Sequence, residues 1–253
     1  MARRRFYAPP DAFDTGAKTV RLAEEEARHL RDVLRLKQGD EVFVFDGEGS
    51  EFKCLVTESG RDSARLEIVA AVSAASPESP LRLTLALALL KGEKFDLAVQ
   101  KATELGAARI VPVMTKLADV RPKDERDSLK RVSRWQRISL EAAKQSGRAR
   151  VPEICAPVSF AELVQSGQGE AEVRLLFSER GGASLLETIA GWSNNPQAVT
   201  VLVGAEGGWT DEELALARSA AWSIITLGGR ILRAETAAIA VTVLLQHLCG
   251  DLR

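Results

Sequence analysis

Between residues 83 and 248, short apolar runs alternate with stretches of helical spacing, and few architectures accommodate that pattern. Residues 83–89, Leu-Thr-Leu-Ala-Leu-Ala-Leu, predict a strand buried on both faces. Residues 93–105 follow with Phe95, Ala98, Val99, Ala102 and Leu105 on one helical stripe, and Gly106 ends the helix. A strand is expected at 110–113, then a long helix over 128–145 with Leu129, Val132, Trp135, Ile138 and Ala142 turned inward. Further strands are expected at 173–177, 199–203 and 223–227, and helices at 210–220 and 234–248. Thr210, with Glu213 three residues on, reads as a capping box. Such alternation predicts an α/β domain, a mostly parallel sheet with helices on both faces. No internal repeat of about 20–50 residues interrupts it.

The first 72 residues are patterned differently. Val42 and Val44 alternate into Asp46-Gly47, a hairpin signal, and Phe52, Cys54 and Val56 alternate again. Ala64, Leu66 and Ile68 suggest one more strand, and residues 24–35 a short helix with Ala27, Leu30 and Leu34 on one face. Several short strands in so few residues must hide their edges, which predicts a small barrel. The stretch Ser73-Ala74-Ala75-Ser76-Pro77-Glu78-Ser79-Pro80 is small, polar and carries two prolines. It reads as a linker over 73–80, dividing a domain at 1–72 from one at 81–253.

No apolar run reaches the ~18 residues needed to cross a bilayer. The opening segment, Met1-Ala2-Arg3-Arg4-Arg5-Phe6, lacks the apolar core of a secretory signal. Cys54, Cys155 and Cys249 are far apart, which suits a reducing cytoplasm and disfavours a disulfide framework or a zinc site. His29 and His247 each stand alone. Net charge is −1, yet residues 116–150 hold eleven Lys/Arg against five Asp/Glu, with Trp135, Gln145 and Ser146 among them. Such a run is ordinarily a solvated helix face, and it is also the footprint a phosphate-rich partner would need.

Two glycine turns carry the chemistry. Gly204-Ala205-Glu206-Gly207-Gly208 follows one expected strand, and Leu227-Gly228-Gly229-Arg230-Ile231-Leu232-Arg233 follows another. Each leads into a helix, as nucleotide-binding turns do. Neither is GxGxxG, and no Lys-Ser/Thr pair makes a Walker loop. Glu206 would repel a pyrophosphate and better suits a neutral or cationic ligand, such as adenosine, or a role in holding a neighbouring loop. Glu235 and Thr236 lie in the first turn of the last helix, where the dipole and a nearby arginine stabilise a carboxylate. A structural Arg233–Glu235 pair is the plainer alternative.

These two segments, together with Trp209-Thr210 and Ala234-Glu235-Thr236-Ala237, resemble the signature loops of the bacterial 16S ribosomal RNA uracil-N3 methyltransferases. That is the ribosomal RNA small subunit methyltransferase E family of the SPOUT superfamily. Lys91-Gly92-Glu93-Lys94 with Gln100–Gly106 is similar to the family's first helix, and Trp135–Ile138 with Glu141–Arg148 to its basic helix. Arg4, Arg5 and Phe6, then His29-Leu30 and Val33-Leu34-Arg35, resemble its N-terminal barrel. Ala205 stands where the family usually has proline, and Lys116-Leu117 where it usually has arginine and serine. Lysine lacks the arginine fork, which leaves the role of Lys116 open.

The resemblance implies a trefoil-knotted, parallel-sheet C-terminal domain and a PUA-like N-terminal β-barrel that binds RNA. It implies S-adenosylmethionine as cofactor, no metal, a cytoplasmic homodimer, and 16S rRNA or the small ribosomal subunit as partner. Leu202, Val203, Gly204, Glu206, Gly207, Gly208, Leu227, Gly228, Ile231, Leu232, Arg233 and Thr236 would then hold the cofactor. Arg230 or Arg233 would stabilise charge on the uracil oxygens, and Glu206 or Glu235 would accept the N3 proton. Arg3, Arg4, Arg5, Arg35, Arg134, Gln145 and Arg148 would meet RNA. The rival readings are a nucleotide-cofactor metabolic enzyme, which lacks its GxGxxG here, and a non-catalytic RNA-binding or assembly protein, which would not need the second glycine turn.

Overall fold

The computed structural model describes residues 3–166 and 172–252. The chain divides into two compact units, Met1–Glu78 with Leu140–Val151, and Ser79–Ser139 with Pro152–Arg253.

In the first unit, β1 (Arg5–Tyr7), β2 (Phe13–Asp14), β3 (Thr19–Leu22), β4 (Glu41–Phe45), β5 (Glu51–Ser59) and β6 (Ala64–Val72) form one curled sheet. Their order is β1-β4-β5-β6-β3-β2, antiparallel except for β1 beside β4. The expected alternation is present: Val42, Val44, Cys54, Val56, Ala64 and Leu66 are buried together with Phe6, Val20, Leu22 and Leu30. Asp46 shapes the expected hairpin, because its Oδ1 accepts the N–H groups of Glu48, Gly49 and Ser50 at 2.8–3.0 Å. The helix expected over 24–35 is shorter. It runs as α1 (Glu24–Arg28) and passes into a wider π-type turn at His29–Val33. The wider turn breaks the stripe: Leu30 stays buried, Leu34 does not, and Arg35 leaves at φ 53°.

The second unit runs β7 (Arg82–Ala88), α2 (Lys94–Glu104), β8 (Arg109–Met114), most of α3 (Glu125–Ser146), β9 (Glu153–Ile154), β10 (Val158–Ser159) and α4 (Phe160–Gln165). It continues with β11 (Glu172–Phe177), β12 (Ala183–Ser184), α5 (Leu185–Ala190), β13 (Ala198–Val203), α6 (Asp211–Ser219), β14 (Ser223–Thr226) and α7 (Ala234–Cys249). All pairings are parallel, in the order β10-β8-β7-β13-β11-β14-β12, with β9 beside β8. Both faces are covered, as a parallel sheet requires. Phe95 and Val99 of α2 and Val241 and Leu245 of α7 pack with Leu85, Val199 and Val201. Phe160 and Val164 of α4 and Leu214 and Ala217 of α6 pack with Ala86, Leu176 and Leu202. The α/β architecture is therefore the expected one. The elements β9, β10, β12, α4 and α5 have two to six residues each, too few for a periodicity to register. Leu129, expected inward, is 60% exposed near the start of α3, ahead of the part of the helix that reaches the core at Trp135.

Candidate active site

Parallel register levels three neighbouring strand ends. Phe177 of β11 sits opposite both Val203 of β13 and Ile225 of β14. The turns that follow these strands consequently open side by side at the carboxyl edge of the sheet, where ligands bind in open α/β folds. With the start of α7 they enclose a cavity of about 340 Å³, within the usual range of small-molecule sites, roughly 300–1,000 Å³.

Each turn is held by specific contacts. After β13, Gly208 takes φ 69° and donates its N–H to the Ala205 carbonyl at 2.9 Å. The buried indole of Trp209 lies against Gly204 and donates Nε1–H to the Phe177 carbonyl at 2.8 Å. Thr210 caps α6 with both capping-box bonds to Glu213 in place. Glu213 also accepts the Lys116 N–H at 2.9 Å, so the main chain of Lys116 is anchored whatever its side chain. After β14, Gly228 and Gly229 both stand at φ 74° with no atom within 4 Å of where a Cβ would project. Two successive left-handed residues there favour glycine and leave open space beside the backbone.

The charged groups differ in how firmly they are held. Glu206 lines the cavity and is bonded by the Lys94 ammonium, which holds its carboxyl below the usual carboxylate range. Nearby, Lys91 pairs with Asp119 at 2.6 Å. Arg230 and Arg233 are exposed, and among the described residues their guanidinium groups have no hydrogen bond or ion pair. The Arg233–Glu235 pair is not formed; Glu235 is half-buried, and its Oε2 has no hydrogen-bond partner among the described residues.

Of the residues singled out from sequence, Val203, Gly204, Glu206, Gly207, Gly208, Leu227, Gly228, Arg230, Ile231 and Leu232 line the cavity. Leu202 does not: strand alternation turns it to the opposite face, beneath α6. Arg233 is the N-cap residue of α7, and Glu235 and Thr236 lie in the helix's first turn, outside the lining. The lining gains Phe177, Ser178 and Glu179, which sequence reasoning missed. Their signal was a third glycine turn, Ser178-Glu179-Arg180-Gly181-Gly182, directly after a strand.

The first unit has its own hollow, of about 580 Å³, into which Arg3, Arg4, Arg5, Arg28, Lys144 and Gln145 converge. Arg5 is committed elsewhere: it donates to the buried Glu51 and to the carbonyls of Ala143, Lys144 and Arg148. Arg3 also binds Glu51 at 3.0 Å, Arg148 binds Glu78, and Arg134 binds Asp96. Arg4, Arg35 and Gln145 remain exposed. Burial pushes the Glu26 carboxyl at the hollow upward, although Lys144 Nζ bonds it at 2.6 Å. Among the described residues, no group of three or more His, Cys, Asp or Glu is placed to hold a metal, and no helix is long and apolar enough to cross a membrane.

A family model described as an RNA methyltransferase domain matches residues 77–246, and one described as an RNA methyltransferase PUA domain matches residues 22–69. A ribosomal RNA small subunit methyltransferase E of Synechocystis is 36% identical over 237 residues, covering 94% of this chain and 75% of the relative. The Bacillus subtilis protein of the same name is 30% identical over 242 residues, covering 93% and 94%. The crystal structure of the Neisseria gonorrhoeae protein of that name, bound to S-adenosyl methionine, superposes with a TM-score of 0.87 at 33% identity, covering all of both chains. This chain therefore belongs to the ribosomal RNA small subunit methyltransferase E family.

Proposed function

We propose that this chain transfers a methyl group from S-adenosylmethionine to N3 of one uridine in 16S rRNA of the small ribosomal subunit. The observation that carries the reading is the cavity at three level strand ends, lined by glycine turns. Its residues suit the cofactor: Gly228 and Gly229 keep backbone accessible, and Val203–Trp209 bring the turn after β13 to the same cavity wall. The bound sulfonium supplies a methyl group that is already activated, so the protein's task is alignment.

Arg230 and Arg233, with unengaged guanidinium groups, are suited to stabilising charge on the uracil oxygens. Glu206 is a poor base, because its hydrogen bond with Lys94 lowers its affinity for a proton. Glu235 has no such ion pair among the described residues and is the second carboxylate that could take the N3 proton, directly or through water, from its place in the first turn of α7 beside the cavity lining. The uridine must be unpaired or turned out of its stack, because N3 is occupied in a base pair.

Residues 1–72 serve in this reading as the PUA-like RNA-binding module, 73–80 as linker and 81–253 as the trefoil-knotted methyltransferase domain. Arg4, Arg35 and Gln145, with the exposed Arg28, remain available to phosphates. Arg3, Arg5, Arg134 and Arg148 act by holding structure. The exposed Leu227, Leu232 and Ile231, the last 87% exposed, support burial of this edge in a homodimer. Three unpaired cysteines fit a cytoplasmic protein. Mass spectrometry of rRNA from a strain lacking the protein tests the reading: one N3-methyluridine should disappear and return with the wild-type gene. An unchanged methylation pattern rejects it.

A further inference from the structure

We infer that Glu179 is the carboxylate that reads the positive charge of the cofactor's sulfonium, an inference that rests on the methyltransferase reading above. Two glutamates line the cavity, and they are not equivalent. Glu206 is compensated by Lys94. Glu179 is exposed and has no hydrogen bond or ion pair among the described residues, so only solvent balances its charge until a ligand enters the cavity.

The turn that carries it is fixed by its neighbours. The Ser178 N–H donates to the Ile225 carbonyl at 2.9 Å, and the Ser178 hydroxyl bridges Arg180, donating to its carbonyl and accepting from its N–H. Arg180 Nη2 reaches the Trp209 carbonyl at 3.2 Å and Asp211 at 3.1 Å. Glu179 thus projects from a turn tied to the end of β14 and to the turn and helix that follow β13. Gly208 leaves room for the carboxylate: a Cβ there would lie 2.8 Å from Glu179 Oε1 and 3.2 Å from Oε2. Glycine at 208 thus serves two ends, the φ of 69° and the close approach of an acid.

A carboxylate on the cavity wall with no protein cation paired to it favours a cation over its neutral counterpart. The methylated cofactor carries a sulfonium, whereas the spent one, S-adenosylhomocysteine, has a neutral thioether. Both keep the same adenosine and amino-acid ends. Glu179 accordingly favours the reactive cofactor and weakens its hold on the product once the charge is gone.

The test is calorimetric titration of the full-length protein and its Glu179→Gln and Glu179→Asp variants with each cofactor form. Glu179→Gln should lose about fivefold in affinity for S-adenosylmethionine, the upper end for one solvent-exposed ion pair, and change less than about twofold for S-adenosylhomocysteine. Glu179→Asp, which keeps the charge, should stay near the wild-type ratio. Equal losses for both ligands, no loss for either, or an aspartate variant as impaired as the glutamine one would overturn the inference and leave the methyltransferase reading standing. A wild-type protein that binds neither ligand overturns both.

Discussion

The Trp209 indole N–H and the Phe177 carbonyl oxygen, both buried, are joined at 2.8 Å. This bond ties the glycine turn after β13 to the end of the adjacent strand β11, and so sets the width of the cavity between them. Trp209→Phe keeps an aromatic side chain, though a smaller one, and removes the N–H that the carbonyl accepts. We expect a loss of about 1–3 kcal/mol in urea unfolding, the usual cost of stranding a buried polar group, together with weaker cofactor binding. Unfolding curves that superpose on wild type would show that the bond is dispensable.

Two glycine-to-alanine changes should separate crowding from backbone strain. At Gly182 a Cβ would come within 2.5 Å of the Ile225 carbonyl carbon and 2.6 Å of the Thr226 nitrogen, both main chain and unable to step aside. Gly182→Ala should therefore cost about 1–3 kcal/mol or more by overpacking and distort the cavity. At Gly228 nothing lies within 4 Å, and only the φ of 74° opposes a side chain, a penalty of about 1–2 kcal/mol. Thermal unfolding of the pair in parallel checks the ordering, with Gly182→Ala expected to be the less stable.

Alkaline pH should act through Cys54. Burial in the first unit's core pushes its thiol from an ordinary value near 9 up to about 12. An unfolded thiol ionises above about 9, while the folded one keeps its proton, so the unfolded state binds fewer protons in that window. Stability is fully present below pH 9 and declines as pH rises toward 12. Cys54→Ala should show a shallower decline over that range in denaturant titrations, and native Cys54 should resist alkylation at pH 8 while the half-exposed Cys155 is the more accessible thiol.

Much of this architecture was legible because its signals are local. The stripes of α2 and α7, the alternation of β4 to β6, and the Thr210–Glu213 capping box each involve residues a few positions apart. Strand order was not legible, since parallel neighbours are joined through distant crossovers and leave no local mark. Arg5 and Glu51 illustrate the same limit: 46 positions separate them, and nothing near Arg5 shows that its guanidinium is occupied. Sequence placed Arg5 among candidate RNA contacts because a terminal basic cluster looks the same whether its members are free or buried. Glu179 went unnoticed for another reason. Its turn begins with three non-glycine residues, and its relation to Gly208 exists only once β11 and β13 are adjacent.

Arg233 provides the sharpest separation of fold from chemistry. It caps α7 through its main chain, whose carbonyl accepts the Ala237 N–H at 2.8 Å, while its side chain makes no capping bond. Alanine supports the same backbone bond, so Arg233→Ala should change unfolding free energy by no more than about 0.5 kcal/mol, as exposed substitutions do. If the guanidinium stabilises charge on the uracil oxygens, its removal should slow methyl transfer at saturating cofactor by about 10²-fold or more, the usual consequence of deleting one charge-stabilising donor. Arg233→Lys should recover little, because the fork geometry is lost with the guanidinium. A variant that folds normally and methylates rRNA at the wild-type rate would remove Arg233 from the chemistry and leave Arg230, on the cavity wall, as the arginine to examine.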